Sequence, residues 1–231
     1  MRVGIIQAGL PPSALVPAFG TYAAMTQDLL GAAHEYATFR IFEDERLPAP
    51  SAYDAYVVTG SAAGAYDPLP WIAPLEAFLR AAAGRSKLIG ICFGHQILAQ
   101  ALGGTVRKAP QGWGLGLHRY AILARAPWMD ADAGEIIGTA SHQDQVLVPP
   151  PGSRTLAASA FTPHALLAYD DHPSISFQFH PEFEPDFSRA LFTPRRAPDL
   201  SPDIVAAAID SLSGPNDNAR VARWIDAFLA G

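Results

Sequence analysis

The chain has 231 residues, of which 49% are apolar and 16% are charged, and its formal net charge at pH 7 is −6. This composition is typical of a soluble globular protein with an ample core and excludes an intrinsically disordered chain. The acidic balance, without any cluster of basic residues, argues against nucleic acid and anionic membranes as partners.

Short apolar runs alternate with helical periodicity in the first half of the chain. Strands are predicted at residues 3–9, 38–42, 55–60 and 87–92, and helices at roughly 21–34, 71–83 and 93–102. Apolar runs that are separated by amphipathic helices favour βαβ units and a parallel sheet.

The second half has a different character. Strand-like pieces linked by Pro, Gly and Asp occur at residues 115–123, 135–140, 154–160 and 164–170, and an apolar strand is predicted at 174–180. Helices return around residues 202–212 and 217–230. We therefore expect antiparallel strands to extend a parallel core. The predicted fold is α/β, with a mixed, mainly parallel sheet flanked by helices.

Nothing in the sequence divides the chain. The Pro-rich stretches at residues 48–50, 149–151 and 194–202 are predicted to be loops at element boundaries, so we expect a single domain over residues 1–231. The N-terminal apolar run is too short for a signal peptide, and no segment approaches 18 uninterrupted apolar residues. We therefore expect a cytoplasmic protein, in which the single cysteine stays a free thiol.

That cysteine, Cys92, lies between a predicted strand and a predicted helix in the sequence GICFG. Gly90 and Gly94 flank it at two residues on either side, as a tight strand-to-helix turn that presents a nucleophile requires. A helix opening at Phe93 directs unpaired N–H groups and the positive end of its dipole at the sulfur, which favours a thiolate. The alternative is a buried structural cysteine, since free cysteine is among the most buried residue types.

A candidate base lies in the sequence QFHPEF, residues 178–183. His180 ends a predicted strand, and Glu182 follows two residues later, on the same side of an extended chain. Pro181 restricts its own backbone and that of His180. A cysteine, a histidine and a carboxylate that orients the histidine form a nucleophilic triad, although His180 could instead merely cap a strand.

The motifs GICFGHQ and FQFHPEF resemble those of the class I glutamine amidotransferases, and the similarity extends over nearly the whole chain. The resemblance implies a flavodoxin-like fold and a triad of Cys92, His180 and Glu182. Such a triad hydrolyses the γ-amide of L-glutamine through a γ-glutamyl thioester and releases ammonia. Neither a cofactor nor a metal site is expected.

The resemblance also implies an oxyanion hole. One of its N–H groups would come from Phe93 and the other from Gly60, in the loop VTGSAAGAYD that also contains Ser61. The family usually has Gly-Gly-Pro in this loop, whereas this chain has Thr59, Gly60 and Ser61. The departure resembles the stand-alone branch that is similar to the GMP synthase glutaminase domain and that includes γ-glutamyl peptidases.

Other matching positions would hold the amino-acid end of the substrate. They are Gln96, which follows the cysteine motif, and the backbone of Ser141 and His142 in SHQDQV. Trp113 either forms a wall of the substrate pocket or belongs to a plain bulged strand. His95 lies three residues past the cysteine, and we expect it to pack or cap rather than to act as the base.

Three functions stay open. The first is a glutamine-hydrolysing amidotransferase that supplies ammonia to a separate synthetase or acceptor subunit, because the glutaminase domain is expected to occupy the whole chain. The second is a γ-glutamyl peptidase or amidase that acts on γ-glutamyl compounds other than glutamine. The third is a non-catalytic binding protein on the same fold, against which the intact Cys, His and Glu argue.

Overall fold

The computed structural model describes residues 1–193 and 200–231. Within these residues the strands are β1 (Arg2–Gln7), β2 (Glu35–Arg40), β3 (Ala55–Val58), β4 (Lys87–Ile91), β5 (Thr105–Lys108), β6 (Gly114–Ile122), β7 (Glu135–His142), β8 (Asp144–Val148), β9 (Ser153–Ala158), β10 (Leu166–Tyr169) and β11 (Ser174–Phe177). The helices are α1 (Val16–Phe19), α2 (Tyr22–Leu30), α3 (Ile72–Ala82), α4 (Phe93–Ala101), α5 (Pro185–Phe192), α6 (Pro202–Ser211) and α7 (Asn218–Ala230).

The described strands form a nine-stranded sheet in the order β2-β1-β3-β4-β11-β10-β9-β6-β7, and β5 pairs separately with β8. From β2 to β11 all neighbours are parallel, and from β11 onward all are antiparallel. The sheet is therefore the predicted mixed one, with a parallel core extended by antiparallel strands.

Alternate residues of the parallel strands pack into two apolar layers, one on each face of the sheet. Val57 and Ile89 belong to the layer that contains Trp224 of α7. Tyr56 and Val58 belong to the layer that contains residues of α3 and α4, including Phe93. Burial on both faces explains why these strands read as continuous apolar runs.

Several predicted boundaries differ from the structure. The second strand was expected at residues 38–42 but spans Glu35–Arg40, because the chain turns into a 3-10 helix at Ile41–Glu43, which buries Ile41. The helix predicted at 21–34 ends at Leu30, because Gly31 leaves the helical conformation with a φ of 72°.

Besides the 3-10 helix at Ile41–Glu43, four elements in the described residues were not predicted: α1, α5, β5 and β8. Of the Pro-rich stretch 194–202, residues 194–199 lie outside the described residues, and Ser201 caps α6 by accepting a hydrogen bond from the Ile204 N–H.

The topology brings the predicted site residues to one edge of the sheet. Because β1, β3, β4 and β11 are parallel neighbours, the segments that follow them, including Gly60, Cys92 and His180, all emerge at the carboxyl edge. Along the described part of the chain, no helix has the length and apolar character needed to cross a membrane.

Candidate active site

Cys92 occupies a strained turn between β4 and α4. Its φ is 52° and its ψ is −100°, a conformation that side-chain-bearing residues rarely adopt. The Cys92 N–H donates to the Phe177 carbonyl oxygen at 2.8 Å, which fixes the turn to the end of β11. The sulfur is thereby presented at the carboxyl edge of the sheet, while the residue as a whole is only 6% exposed.

The glycines on either side of Cys92 are required by close backbone approach. A methyl group on Gly90 would lie 2.5 Å from the Gly94 carbonyl oxygen, and one on Gly94 would lie 2.1 Å from the Val58 carbonyl oxygen. Neither distance is compatible with a side chain. The glycine spacing noted in the sequence is therefore a steric requirement of the turn.

His180 and Glu182 form a buried pair beside the cysteine. The His180 Nδ1–H donates to Glu182 Oε1 at 2.8 Å, and the two side chains are 4% and 1% exposed. Burial alone would lower the pKa of His180, but the Glu182 carboxylate and the Cys92 sulfur outweigh it and raise this pKa to about 10. The two neighbours therefore favour the protonated imidazole.

Aromatic side chains enclose this pair. Phe183 packs on the His180 ring and is in turn stacked on Tyr22 of α2, with ring centroids 5.8 Å apart, and meets Phe187 of α5 edge-on at 4.6 Å. The sequence reasoning did not single out these three residues. The aromatic spacing of FEPDF, residues 183–187, was a signal for them, because α5 begins at Pro185 and places Phe187 on its buried face.

The predicted oxyanion-hole residues also meet at Cys92. A methyl group on Gly60 would lie 3.0 Å from His180 Cε1 and 3.9 Å from Cys92 Cβ, so the backbone of Gly60 borders both. Ser61 fixes the loop, since its hydroxyl donates to the Ala8 carbonyl oxygen at 2.8 Å and accepts from the Ala63 N–H at 3.1 Å. Phe93 is the first residue of α4, where N–H groups have no partner within the helix.

Gln96 is held by two hydrogen bonds. Its side-chain NH2 donates to the Asp144 carbonyl oxygen at 2.8 Å and to Gln178 Oε1 at 3.2 Å. The Gln178 NH2 in turn lies 3.8 Å from the Cys92 sulfur. Gln178 was not predicted as a site residue, although it belongs to the QFHPEF motif.

The other predicted residues divide between the site and its support. Ser141, at the end of β7, lines the space in front of Cys92, as do His142 and Trp113. His95 is fully buried, and its Nδ1 lies 2.8 Å from the Ser176 hydroxyl oxygen. His95 lines neither cavity beside Cys92, in keeping with the expected packing role.

Two cavities meet at Cys92, Ser61 and Ser141. The polar cavity, of about 320 Å³, is lined by Tyr66, Asp67, Gln96, Lys108, Trp113 and Asp144. The apolar cavity, of about 500 Å³, is lined by Leu10, Pro11, Pro12, Tyr22, Phe183 and Leu191. Gly60 and His180 border the apolar cavity.

Most of the residues lining these cavities were not predicted, because they come from loops whose course depends on tertiary structure. Two signals were present in the sequence. The LPP segment, residues 10–12, follows β1 at the carboxyl edge, and Asp144 lies in SHQDQV, the segment already matched to the substrate.

A family comparison agrees with this geometry. The family model described as glutamine amidotransferase class-I matches residues 29–192. The chain belongs to the class I glutamine amidotransferases. It is a cysteine-dependent amide hydrolase, which confirms the predicted family and enzyme class and removes the non-catalytic alternative.

Curated relatives of this amidotransferase carry different names. A glutamine amidotransferase-like protein of Schizosaccharomyces pombe is 25% identical, with 99% of this chain and 98% of that protein aligned. γ-Glutamyl peptidase 4 of Arabidopsis thaliana is 30% identical over 73% of this chain and 70% of its own length. The glutamine-hydrolysing GMP synthase of Thermus thermophilus is 42% identical, but over only 41% of this chain and 18% of its own length.

Solved structures share the fold. A glutamine amidotransferase from Thermotoga maritima superposes with a TM-score of 0.73 at 16% identity, covering 100% of this chain and 96% of its own. One from Methylobacillus flagellatus superposes with a TM-score of 0.71 at 24% identity, covering 98% and 94%. The predicted fold class is confirmed.

Proposed function

We propose that the protein hydrolyses the γ-amide bond of L-glutamine and related γ-glutamyl amides, through Cys92, His180 and Glu182. The observation that carries this proposal is the buried His180–Glu182 pair, with its 2.8 Å hydrogen bond, beside the strained Cys92 turn. A carboxylate fixes the imidazole orientation, and the imidazole is the base that takes the proton of the nucleophile, as nucleophilic catalysis requires.

The reaction proceeds in two stages. The Cys92 thiolate attacks the γ-carbonyl carbon, the C–N bond breaks, and His180 gives its proton to the leaving nitrogen. A γ-glutamyl thioester on Cys92 and a free amine, or ammonia, result. His180 then takes a proton from water, which attacks the thioester carbonyl and releases glutamate and the Cys92 thiolate.

The N–H groups of Phe93 and Gly60 serve as donors to the oxyanion that forms at each stage. Phe93 is adjacent to Cys92 in sequence, and Gly60 lies so close that a methyl group on it would be 3.0 Å from His180 Cε1 and 3.9 Å from Cys92 Cβ. Preorganised donors of this kind typically contribute factors of about 10² to 10³ to the rate. Ser61 holds the loop that presents Gly60.

The charged residues of the polar cavity suit the amino-acid end of the substrate. Asp67 and Asp144 offer carboxylates to an α-ammonium group, and Lys108 offers a cation to an α-carboxylate. Gln96, Ser141 and His142 line the same cavity. This arrangement supports a γ-glutamyl group as the part of the substrate bound there.

Trapping the thioester tests the proposal. The protein is incubated with L-glutamine and hydroxylamine, and γ-glutamyl hydroxamate, glutamate and ammonia are measured, with Cys92→Ser in parallel. We expect the wild-type protein to form both hydroxamate and glutamate and Cys92→Ser to form neither. Glu182→Gln should form at least a hundredfold less glutamate than the wild-type protein. Glutamate release that persists in Cys92→Ser would overturn the assignment of the nucleophile.

In the first of the three hypotheses drawn from the sequence, the ammonia is used in a synthesis, and a separate acceptor subunit would receive it. Similarity to GMP synthase supports this possibility, because that protein is named as glutamine-hydrolysing. The isolated chain would then show weak glutaminase activity that rises when the partner is added. The 30% identity to a γ-glutamyl peptidase instead supports hydrolysis of larger γ-glutamyl amides as the end of the reaction.

A further inference from the structure

The polar and apolar cavities meet at the reacting sulfur and differ in the side chains that line them. The polar cavity contains three charged side chains, Asp67, Lys108 and Asp144. His180, the residue that must protonate the leaving nitrogen, lines the apolar cavity and not the polar one. A γ-glutamyl substrate with its amino-acid end in the polar cavity therefore directs its leaving nitrogen toward the apolar cavity.

The size and lining of the apolar cavity are unsuited to ammonia alone. It has a volume of about 500 Å³, whereas ammonia has no apolar surface to bury. Apart from the reacting Cys92 and His180, no ionisable acid or base other than the Tyr22 phenol lines it among the described residues. A concave, mainly apolar space next to a few reacting groups is the usual form of a subsite for an organic group.

The wall of this cavity is rigid where it meets the catalytic pair. Phe183 is fully buried, stacked on Tyr22 and supported by Phe187, and Pro11 and Pro12, which line the same cavity, restrict the backbone there. Leu10, at the rim, is 43% exposed. An apolar group bound here would remove Leu10 from water and would need no rearrangement of His180.

We propose that the apolar cavity is the leaving-group subsite, and that the preferred substrates are γ-glutamyl amides of amines that carry an apolar group. This inference rests on the amide-hydrolase function proposed above. The C–N bond breaks as the thioester forms, the His180 proton goes to the amine nitrogen, and the amine leaves through this cavity. The apolar group could belong to a simple alkylamine or to the side chain of an amino acid.

A substrate series tests the subsite. The substrates are L-glutamine, γ-L-glutamyl-methylamide, γ-L-glutamyl-isoamylamide and γ-L-glutamyl-leucine, and glutamate release gives kcat/KM for each. We expect kcat/KM for isoamylamide or leucine to exceed that for methylamide by about tenfold or more, since each buried methylene typically changes this ratio several-fold or more. Comparing kcat/KM for γ-L-glutamyl-isoamylamide with that for γ-L-glutamyl-leucine shows whether the preferred leaving amine carries a carboxylate.

Two matched variants locate the effect. Leu10→Asp puts a charge at the rim of the apolar cavity, and we expect it to lower the isoamylamide-to-methylamide ratio at least fivefold. Leu123→Asp makes the same change at a leucine that is 62% exposed and lines neither cavity, and should leave the ratio unchanged.

The outcomes separate the two proposals. If Cys92-dependent hydrolysis is seen but methylamide is cleaved as well as the larger amides, the leaving-group subsite is wrong and the proposed function stands. The subsite is also wrong if Leu10→Asp and Leu123→Asp have equal effects on the ratio. If none of the four substrates is cleaved in a Cys92-dependent way, the proposed function itself fails, and the subsite with it.

Discussion

Phe183 lies flat against the imidazole of His180, with ring centroids 3.8 Å apart and an angle of 9° between the planes. The other determinant of the ring's orientation is the hydrogen bond from Nδ1 to Glu182. One contact restricts the ring plane and the other its rotation within that plane. Together they aim the remaining nitrogen at the reacting centre.

The stacking contact should affect catalysis more than stability. Stacked aromatic pairs contribute about 0.5–1.5 kcal/mol beyond area burial, which corresponds to a factor of up to about ten in rate if the contact positions the reacting imidazole. We expect Phe183→Leu to lower kcat for L-glutamine about tenfold with little change in KM. Steady-state kinetics with L-glutamine measures this effect, because its leaving group, ammonia, has no apolar group to bind in the apolar cavity.

Phe187→Leu is the matched control. Phe187 is equally buried and contacts Phe183 at 4.6 Å, whereas the ring that lies on His180 is that of Phe183. Thermal unfolding should show similar losses of stability for the two variants. Equal losses of kcat in both would contradict a positioning role for Phe183.

The sequence was sufficient for the parts of the site that depend on local chain geometry. The turn at Cys92 needs Gly90 and Gly94 for steric reasons that act within a few residues and one neighbouring strand. The His180–Glu182 pair lies within three residues. The extended chain expected there was wrong, because Pro181 and Glu182 form a turn that the Phe183 N–H closes on the His180 carbonyl oxygen at 3.4 Å, and this turn places the carboxylate beside the ring. Motifs of this kind can be read without knowing the topology.

The remainder depends on contacts between distant parts of the chain. Tyr22 reaches Phe183 only because α2 and α5 pack at the same edge, and Asp67 and Lys108 meet in one cavity through a loop and a short strand pair. Apolar periodicity also fails to give the start of β2. This edge strand is only partly buried, and the buried apolar residue nearest to it, Ile41, lies in the 3-10 helix that follows. The predicted single domain over residues 1–231 stays a prediction.

The conformation of Cys92 should be measurable as strain. At a φ of 52° and a ψ of −100°, a side-chain-bearing residue is disfavoured by about 1–3 kcal/mol, a cost that glycine largely avoids. We expect Cys92→Gly to be more stable than Cys92→Ala by about 1 kcal/mol, after allowing for the greater unfolded-state entropy of glycine. Denaturant unfolding of the two inactive variants measures the difference.

A helical site shows the opposite order. Ala77 is an exposed residue of α3, and Ala77→Gly should lower the free energy of unfolding by about 1 kcal/mol. The strain argument is wrong if glycine is also less stable than alanine at position 92.

The glycine after the cysteine should tolerate no side chain. A methyl group at position 94 would lie 2.1 Å from the Val58 carbonyl oxygen, so α4 and β3 would have to move apart. We expect Gly94→Ala to lower the free energy of unfolding by more than about 3 kcal/mol. Gly134→Ala, where no heavy atom lies within 4 Å of the added methyl, should change it by less than about 0.5 kcal/mol. Similar unfolding midpoints for the two variants would be incompatible with the packing at the turn.

Buried histidines should make the fold sensitive to acid. Burial is the main cause that lowers the pKa of His95 and of His142, each to about 3. The unfolded chain protonates these side chains near pH 6.5, whereas the folded protein does not until about pH 3. Stability is therefore present above pH 6.5 and is lost as the pH falls from 6.5 toward 3, by up to about 1.4 kcal/mol per pH unit for each group.

The contribution of His180 to stability depends on pH with the opposite sign. Because its pKa is raised to about 10, this contribution is present below pH 6.5 and is lost as the pH rises from 6.5 toward 10. Between pH 6 and pH 4 the contribution of His180 is therefore constant, and the difference between a variant and the wild-type protein separates one buried histidine from the carboxylates that also titrate there. We expect the free energy of unfolding to fall less steeply in His95→Asn than in the wild-type protein, by up to about 1.4 kcal/mol per pH unit. The asparagine amide reproduces the position of Nδ1, which bonds to the Ser176 hydroxyl, but does not titrate. Denaturant unfolding at each pH gives both slopes, and parallel curves for the two proteins would show that His95 does not stay neutral in the folded state.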